Sequence, residues 1–144
     1  QAGTEEHLLL PEEFFNFYSI RPPAGFLSTV HPPLMTFFYQ GADGAKFGLA
    51  VKTRDPERTL SKILAWEPAM LLDLRPLFFD ERPENIIAPF EDRIYRNIDW
   101  RFLKLSPGGN LGIAYGIFPA RDLLVLTTSK ESFETVINRL FDTR

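Results

Sequence analysis

The sequence contains no cysteine and only two histidines, and these absences remove several classes of function. Without cysteine the chain can form no disulfide, no thiolate metal site, no iron–sulfur cluster and no cysteine nucleophile. A histidine metal site would need carboxylate ligands, and neither His7 nor His31 has a second ligand at a helical spacing. The sequence therefore predicts neither a metal site nor a bound cofactor.

Long apolar runs are absent, and positive charge is in the minority. No stretch approaches the roughly 18 to 20 apolar residues that a membrane-spanning helix needs, so we expect any membrane anchor to lie outside these residues. The chain has 16 lysine and arginine residues against 19 aspartate and glutamate residues, which gives a formal net charge of −3. Nucleic-acid binding depends on clustered positive charge, so we expect no nucleic-acid partner.

Catalytic motifs are missing as well. The sequence has no G-x-S-x-G or S-x-x-K motif, and its glycine pairs lack the spacings of phosphate-binding loops. Adjacent carboxylates such as Glu12 and Glu13 point to different faces of a regular element, which prevents them from acting as an acid–base pair. A catalytic role for Asp99 would require a surrounding pocket. We therefore predict no catalytic residue and favour a non-enzymatic role.

Aromatic residues are abundant, with 14 phenylalanines, 4 tyrosines and 2 tryptophans. This composition predicts a thick aromatic core, an exposed aromatic contact surface, or both. Residues 1–33 are rich in proline and aromatic side chains, and we expect this segment to cover the sheet of a single α+β domain formed by residues 34–144. Aromatic side chains often anchor protein contacts. The candidate binding residues are Phe14, Phe17, Tyr18, Phe26, Trp66 and Trp100.

Two stretches of the chain share one pattern, in which an apolar strand leads directly into a capped helix. Within residues 46–64 the helix begins at Asp55-Pro56, where aspartate can cap the first turn and proline needs no N–H partner. Within residues 122–140 the helix begins at Thr128 or Ser129. Its apolar residues recur at helical spacing and are Phe133, Val136, Ile137 and Leu140. We predict an α+β fold with two strand-to-helix halves, a mainly antiparallel sheet, and both amphipathic helices packed on one face of that sheet.

Local signals refine this fold. Turn sequences between apolar runs, such as Arg96-Asn97, predict antiparallel hairpins. Pro68 predicts a kink or break in the first long helix, with a second segment at residues 69–74. Asp99 and Arg101 alternate with bulky apolar residues, so we expect both on the opposite face of their strand, where they can form cross-strand ion pairs.

Three segments carry a family resemblance. They are the Trp66-Glu67 step, the hairpin within residues 95–101, and the Thr-Ser-Lys-Glu-Ser helix start within residues 124–140. Together they resemble the uncharacterised domains of large membrane-anchored proteins from candidate-phyla bacteria, over about residues 35–140. The resemblance implies an extracytoplasmic or cell-surface domain on a longer chain, with no catalytic residues to transfer. Pro68 departs from the pattern, in which the helix continues past Trp-Glu.

Three functions follow as hypotheses. The leading one is a non-catalytic structural or protein-interaction domain of a bacterial envelope or surface protein, with a protein partner or self-association. An alternative is a small-molecule binding domain whose pocket lies between the sheet and the kinked helix, near Trp66, Met70 and Trp100. The least favoured alternative is a hydrolase with an unrecognised carboxylate pair.

Overall fold

The computed structural model describes residues 4–41, 44–79 and 89–143. The strands are β1 (Thr4–Leu9), β2 (Val30–Gly41), β3 (Gly44–Thr53), β4 (Glu91–Tyr95), β5 (Ile98–Lys104), β6 (Leu111–Phe118) and β7 (Leu123–Ser129). The α-helices are α1 (Pro11–Phe17), α2 (Pro56–Asp73) and α3 (Lys130–Asp142), and short 3₁₀ helices span Leu27–Thr29, Arg75–Phe78 and Pro119–Arg121. The strands form one antiparallel sheet in the order β1-β2-β3-β7-β6-β5-β4. The predicted α+β class and antiparallel sheet are confirmed.

Both predicted strand-to-helix halves are present, as β3 followed by α2 and β7 followed by α3, and β3 pairs with β7. The predicted hairpins also form. Arg96 and Asn97 both have positive φ angles, of 51° and 65°, as a two-residue turn between antiparallel strands requires. The sequence also predicts a turn at residues 41–44 and a surface connection at residues 79–89. Residues 42–43 and 80–88 of these segments lie outside the described residues.

The N-terminal segment is an integral part of the sheet. The polar start of the chain leads us to expect His7 in a fraying tail. This expectation is wrong, because β1 pairs with β2 and His7 lies opposite Thr36 in the ladder. The predicted boundary after residue 33 falls inside β2, whose pairing with β3 shifts register between His31 and Leu34. The intervening prolines lack N–H donors, so they interrupt the ladder without ending the strand.

The two long helices lie on opposite faces of the sheet. Ile63, Trp66 and Met70 of α2 belong to the core on one face, whereas Phe133 and Ile137 of α3 belong to the core on the other. The prediction that both helices pack on one face is therefore wrong. The physical reason is that β6 and β7 are buried on both sides, and apolar residues on both faces of a sheet need a covering layer on each.

Helix α2 continues through Pro68, so the predicted break is wrong. Pro68 is exposed, and the turn that it interrupts therefore faces solvent, where water can bond to the carbonyl group that proline leaves unpaired. Buried Trp66 and Met70 hold both halves of the helix against the sheet. The indole Nε1 of Trp66 also donates a hydrogen bond of 2.7 Å to Asp73 Oδ2, which ties the two halves together.

The starts of both long helices are capped as predicted. The N–H of Arg58 donates to Asp55 Oδ1 at 3.2 Å, and Ser129 Oγ accepts from the N–H of Ser132 at 3.1 Å. The turn before β6 adds a further cap to α3, because Asn110 Oδ1 accepts from the N–H of Glu131 at 2.8 Å. Side-chain caps of this kind satisfy N–H groups that have no partner within the helix.

Candidate functional site

A groove of about 860 Å³ lies between the first half of α2 and the strands β4, β5 and β6. We call it the α2 groove. Its apolar walls are Leu60, Leu64, Ile94 and Ile117. Ile94 is 71% exposed, and both leucines are also exposed. Exposed aliphatic side chains gathered around one concave surface are typical of a binding site, because their burial by a ligand is favourable.

Three carboxylate residues surround these walls. Glu57 comes from the first turn of α2, Asp92 from β4 and Asp99 from β5. Asp99 lies directly opposite Ile94 in the antiparallel ladder, so the strand pairing itself sets a charge beside an apolar wall. Within the described parts of the chain, Asp99 has no ion-pair partner. Arg93 and Arg101 also line the groove, so it combines an apolar surface with a rim of three carboxylates and two guanidinium groups.

A polar cluster connects the groove to helix α2. Arg101 donates from Nε to Glu67 Oε2 at 2.8 Å and from Nη2 to Glu67 Oε1 at 2.6 Å, which is a bidentate ion pair. The hydroxyl of Tyr115 donates to the same Glu67 Oε2. Arg101 Nη1 donates to Asp92 at 2.8 Å, which confirms the cross-strand ion pair predicted for Arg101. The same prediction for Asp99 is wrong among the described residues. Sequence analysis missed Glu67 and Tyr115, because they lie 34 and 48 residues from their cluster partners.

Both proton-bearing groups of this cluster are held in their protonated forms. Burial raises the pKa of Tyr115 above its usual range, and the hydrogen bond to the Glu67 carboxylate raises it further. The hydrogen bonds to Glu67 likewise raise the pKa of Arg101. At neutral pH, Tyr115 is therefore a hydrogen-bond donor and Arg101 a cation. The cluster ties β5 and β6 to α2.

The raised pKa of Tyr115 predicts a component of alkaline destabilisation. In the unfolded chain tyrosine ionises near pH 10, whereas folded Tyr115 resists ionisation, so stability is unaffected below that pH and falls as pH rises above it. Urea unfolding midpoints measured from about pH 9 to pH 11 should fall less steeply for Tyr115→Phe than for the wild type. Equal slopes in the two proteins would contradict this assignment.

The six aromatic residues predicted to bind a partner do not form one surface. The side chains of Phe14, Phe26, Trp66 and Trp100 are buried. Trp66 packs against Phe26 on the α2 side of the sheet, whereas Trp100 stacks on Phe133 on the α3 side, with ring centroids 4.6 Å apart. Trp66 and Met70 are buried in the core, whereas Trp100 is among the lining residues of the α2 groove, so the small-molecule pocket predicted between the sheet and this helix stays a prediction.

A smaller cavity does bring three of the six aromatics together. Phe14, Phe17 and Tyr18 line a cavity of about 410 Å³ beside α1, together with residues of β1, β2 and β3. Phe17 is 79% exposed and is the most exposed large apolar side chain in the described residues. The adjoining aromatic side chains, including the ring of Phe14 that stacks on Phe47, already pack on one another. This cavity therefore presents less open apolar surface than the α2 groove.

Within residues 4–41, 44–79 and 89–143, no group of three or more histidine, aspartate or glutamate side chains is arranged to hold a metal ion. None of the helices described there is long and apolar enough to cross a membrane.

The chain matches no protein-family model, no curated protein and no solved structure. The resemblance to domains of candidate-phyla bacteria therefore stays a prediction. Any functional conclusion has to rest on the geometry of the described residues.

Proposed function

We propose that the protein is a non-catalytic interaction domain that binds a basic, apolar segment of a partner protein in the α2 groove. The observation that supports this proposal is the combination of exposed aliphatic walls with a carboxylate rim. A bacterial envelope or cell-surface location is part of the proposal, and it rests on the sequence resemblance alone.

The apolar walls supply the affinity for such a segment. Leu60 and Leu64 are four residues apart on α2, so they lie on the same side of the helix and face the groove together. Ile94 and Ile117 form the facing wall on the sheet. Burying apolar surface contributes about 25 cal/mol per Å², so a partner that covers this groove with aliphatic or aromatic side chains gains binding free energy.

The charged residues at the rim of the groove favour a partner segment that carries positive charge. Arg93 and Arg101 also line the groove, but Glu91 pairs with Arg93, and Glu67 and Asp92 bind the guanidinium group of Arg101. Glu57 and Asp99 have no ion-pair partner among the described residues. Lysine or arginine side chains flanking an apolar segment would complement these carboxylates, and such complementarity favours the correct partner and speeds association.

Catalysis is disfavoured by the state of the polar residues. The partly buried cluster of Glu67, Arg101 and Tyr115 is internally hydrogen-bonded, and its tyrosine is held neutral. Catalysis requires acid, base or nucleophile groups within mutual reach of a substrate. Asp99 lies in the groove, which is the position a hydrolytic carboxylate would need. A broad hydrolase screen can test this, with Asp99→Asn as the control variant. Substrate turnover by the wild type that is lost in Asp99→Asn would overturn the proposal.

The binding prediction can be tested with two labelled synthetic peptides, one alternating leucine with lysine and the other alternating leucine with glutamate. Fluorescence anisotropy should detect binding of the lysine peptide and weaker binding of the glutamate peptide. Asp99→Lys should weaken lysine-peptide binding by about fivefold or more, because it converts an attraction at the rim into a repulsion. Ile94→Asp should weaken it further, since this change removes an apolar wall.

Glu12→Lys provides the matched control, because Glu12 is an exposed carboxylate of α1 outside the lining of the groove. This variant carries the same charge change as Asp99→Lys and should bind the lysine peptide as the wild type does. Equal weakening by both variants would show a non-specific charge effect. That result, or unchanged binding by Asp99→Lys, would contradict the proposal.

A further inference from the structure

A second groove, of about 740 Å³, lies on the opposite face of the sheet beside α3. We call it the α3 groove. The strands β1, β2, β3 and β7 form its floor through Leu8, Met35, Phe37, Ala50 and Leu123, and α3 forms its wall through Val136 and Leu140. Leu8 is 65% exposed, and Met35 and Leu123 are partly exposed. This face of the sheet is therefore apolar beyond the area that α3 covers.

The contacts between helix α3 and the sheet bury only part of the apolar surface of this helix. Phe133 and Ile137 are completely buried against the sheet, in a core that also includes Phe37 of β2 and Ala50 of β3. Val136 and Leu140 lie at the side of the same stripe and are only half-buried, because they face the groove. A helix whose apolar stripe extends past its contact area is suited to a neighbour packed alongside it.

The charge around the α3 groove is opposite to that of the α2 groove. The basic residues lining it are His31, Lys52, Arg121 and Arg139, and no aspartate or glutamate is among its described lining residues. Lys52 is exposed and lies directly opposite His31 in the β2–β3 ladder. Strand pairing therefore holds two basic side chains side by side at the edge of an apolar floor.

We propose that the α3 groove binds an acidic amphipathic helix of a partner protein, which packs beside α3 on the β1 to β3 half of the sheet. Strands lie about 4.8 Å apart, so three of them make a surface about 14 Å wide. A helix with its side chains is about 10–12 Å across and packs about 8–10 Å from a neighbouring helix. Because α3 already covers Phe37 and Ala50, the partner helix would pack over the part of this half that stays open, at Leu8 and Met35, and against Val136 and Leu140.

The basic residues of the α3 groove determine which side chains should flank the apolar stripe of the bound helix. Aspartate or glutamate residues flanking its apolar stripe would lie next to Lys52 and His31. This site is independent of the proposed function, since it lies on the other face of the sheet and selects the opposite charge. If both proposals hold, one domain joins a basic segment and an acidic helix across its single sheet.

The test uses two labelled amphipathic helical peptides that share a leucine stripe and differ in carrying glutamate or lysine on its flanks. In the Ile94→Asp background, where the α2 groove has lost an apolar wall, the glutamate peptide should bind more tightly than the lysine peptide. Lys52→Glu should weaken its binding by about tenfold, because an attractive charge becomes repulsive at an exposed position that does not support the fold. Val136→Asp should weaken it at least as much, and circular dichroism would confirm that each variant is folded.

Two control variants establish whether binding depends on the α3 groove itself. Arg75→Glu makes the same charge change at an exposed site outside the groove and should leave glutamate-peptide binding unchanged. Tighter binding of the lysine peptide to Ile94→Asp, or equal binding of the glutamate peptide by the wild type and Lys52→Glu, would overturn the proposal. So would a wild-type dimer in sedimentation equilibrium that Lys52→Glu dissociates, because the groove would then be occupied by a second copy of the chain.

Discussion

Replacing Ile137 with alanine is expected to lower the free energy of unfolding by about 2–5 kcal/mol. Ile137 has no exposed surface and lies in the core between α3 and the sheet, together with Phe133 and Val125. Truncation would remove buried methylene and methyl groups and leave a cavity that tightly packed neighbours cannot fill. Urea denaturation followed by circular dichroism would measure the change.

Val136→Ala is the matched control for this prediction. Val136 is the preceding residue of the same helix, but it is half-buried and faces the α3 groove. Its truncation should cost about 1 kcal/mol or less, because only part of its side chain leaves an apolar environment. A loss equal to that of Ile137→Ala would show that the helix is rotated relative to this structure.

Replacing Arg101 with methionine is the second change with a large expected effect, a loss of about 3 kcal/mol. It would leave the Glu67 carboxylate beneath α2 without its bidentate partner, and the side chain of Glu67 is only 13% exposed. A carboxylate that loses its cation in a mostly dry environment is strongly destabilising. We place the loss at the low end of the range for buried pairs, because the Arg101 side chain is 24% exposed.

Two further variants test the reason for that loss. The triple variant Glu67→Met, Arg101→Met, Tyr115→Phe removes every polar group of the cluster and should lie within about 1 kcal/mol of the wild type. Asp92→Asn removes the other partner of Arg101, but Asp92 is 89% exposed, so the loss should be about 0.5 kcal/mol or less. A triple variant as unstable as Arg101→Met would show that volume, rather than an unpaired charge, causes the loss.

The order of the strands and helices along the chain could be predicted, because each of them is determined by residues that are close together in the sequence. The alternation of residues 98–102 determined which side chains share a face of β5, and the Arg96-Asn97 pair determined its hairpin. The helix starts at Asp55 and Ser129 were readable because a cap requires a short polar side chain next to the first turn. β1 was missed because the chain shows no turn signal between its polar start and Pro11.

The side of the sheet on which each helix packs was decided by tertiary structure, although β6 contained a signal. Residues 111–116 are apolar or glycine without alternation, which is typical of a strand buried on both faces, and such a strand requires a layer on each side. Sequence analysis read these residues as a strand without drawing that conclusion. The number of aromatic residues likewise could not show which of them are buried. Phe14 and Phe17 have the same side chain, but the fold buries Phe14 and leaves Phe17 exposed.

By itself, therefore, the sequence determined the local structure of this protein: the strands, the hairpin turns, the helix caps and the face of β5 that carries Asp99 and Arg101. Tertiary structure decided everything that joins distant residues, including the Glu67–Arg101–Tyr115 cluster and the two grooves of opposite charge. The physical reason is the distance along the sequence over which each effect acts. Backbone preferences and side-chain periodicity act over a few residues, whereas burial and ion pairing depend on which segments meet when the sheet closes.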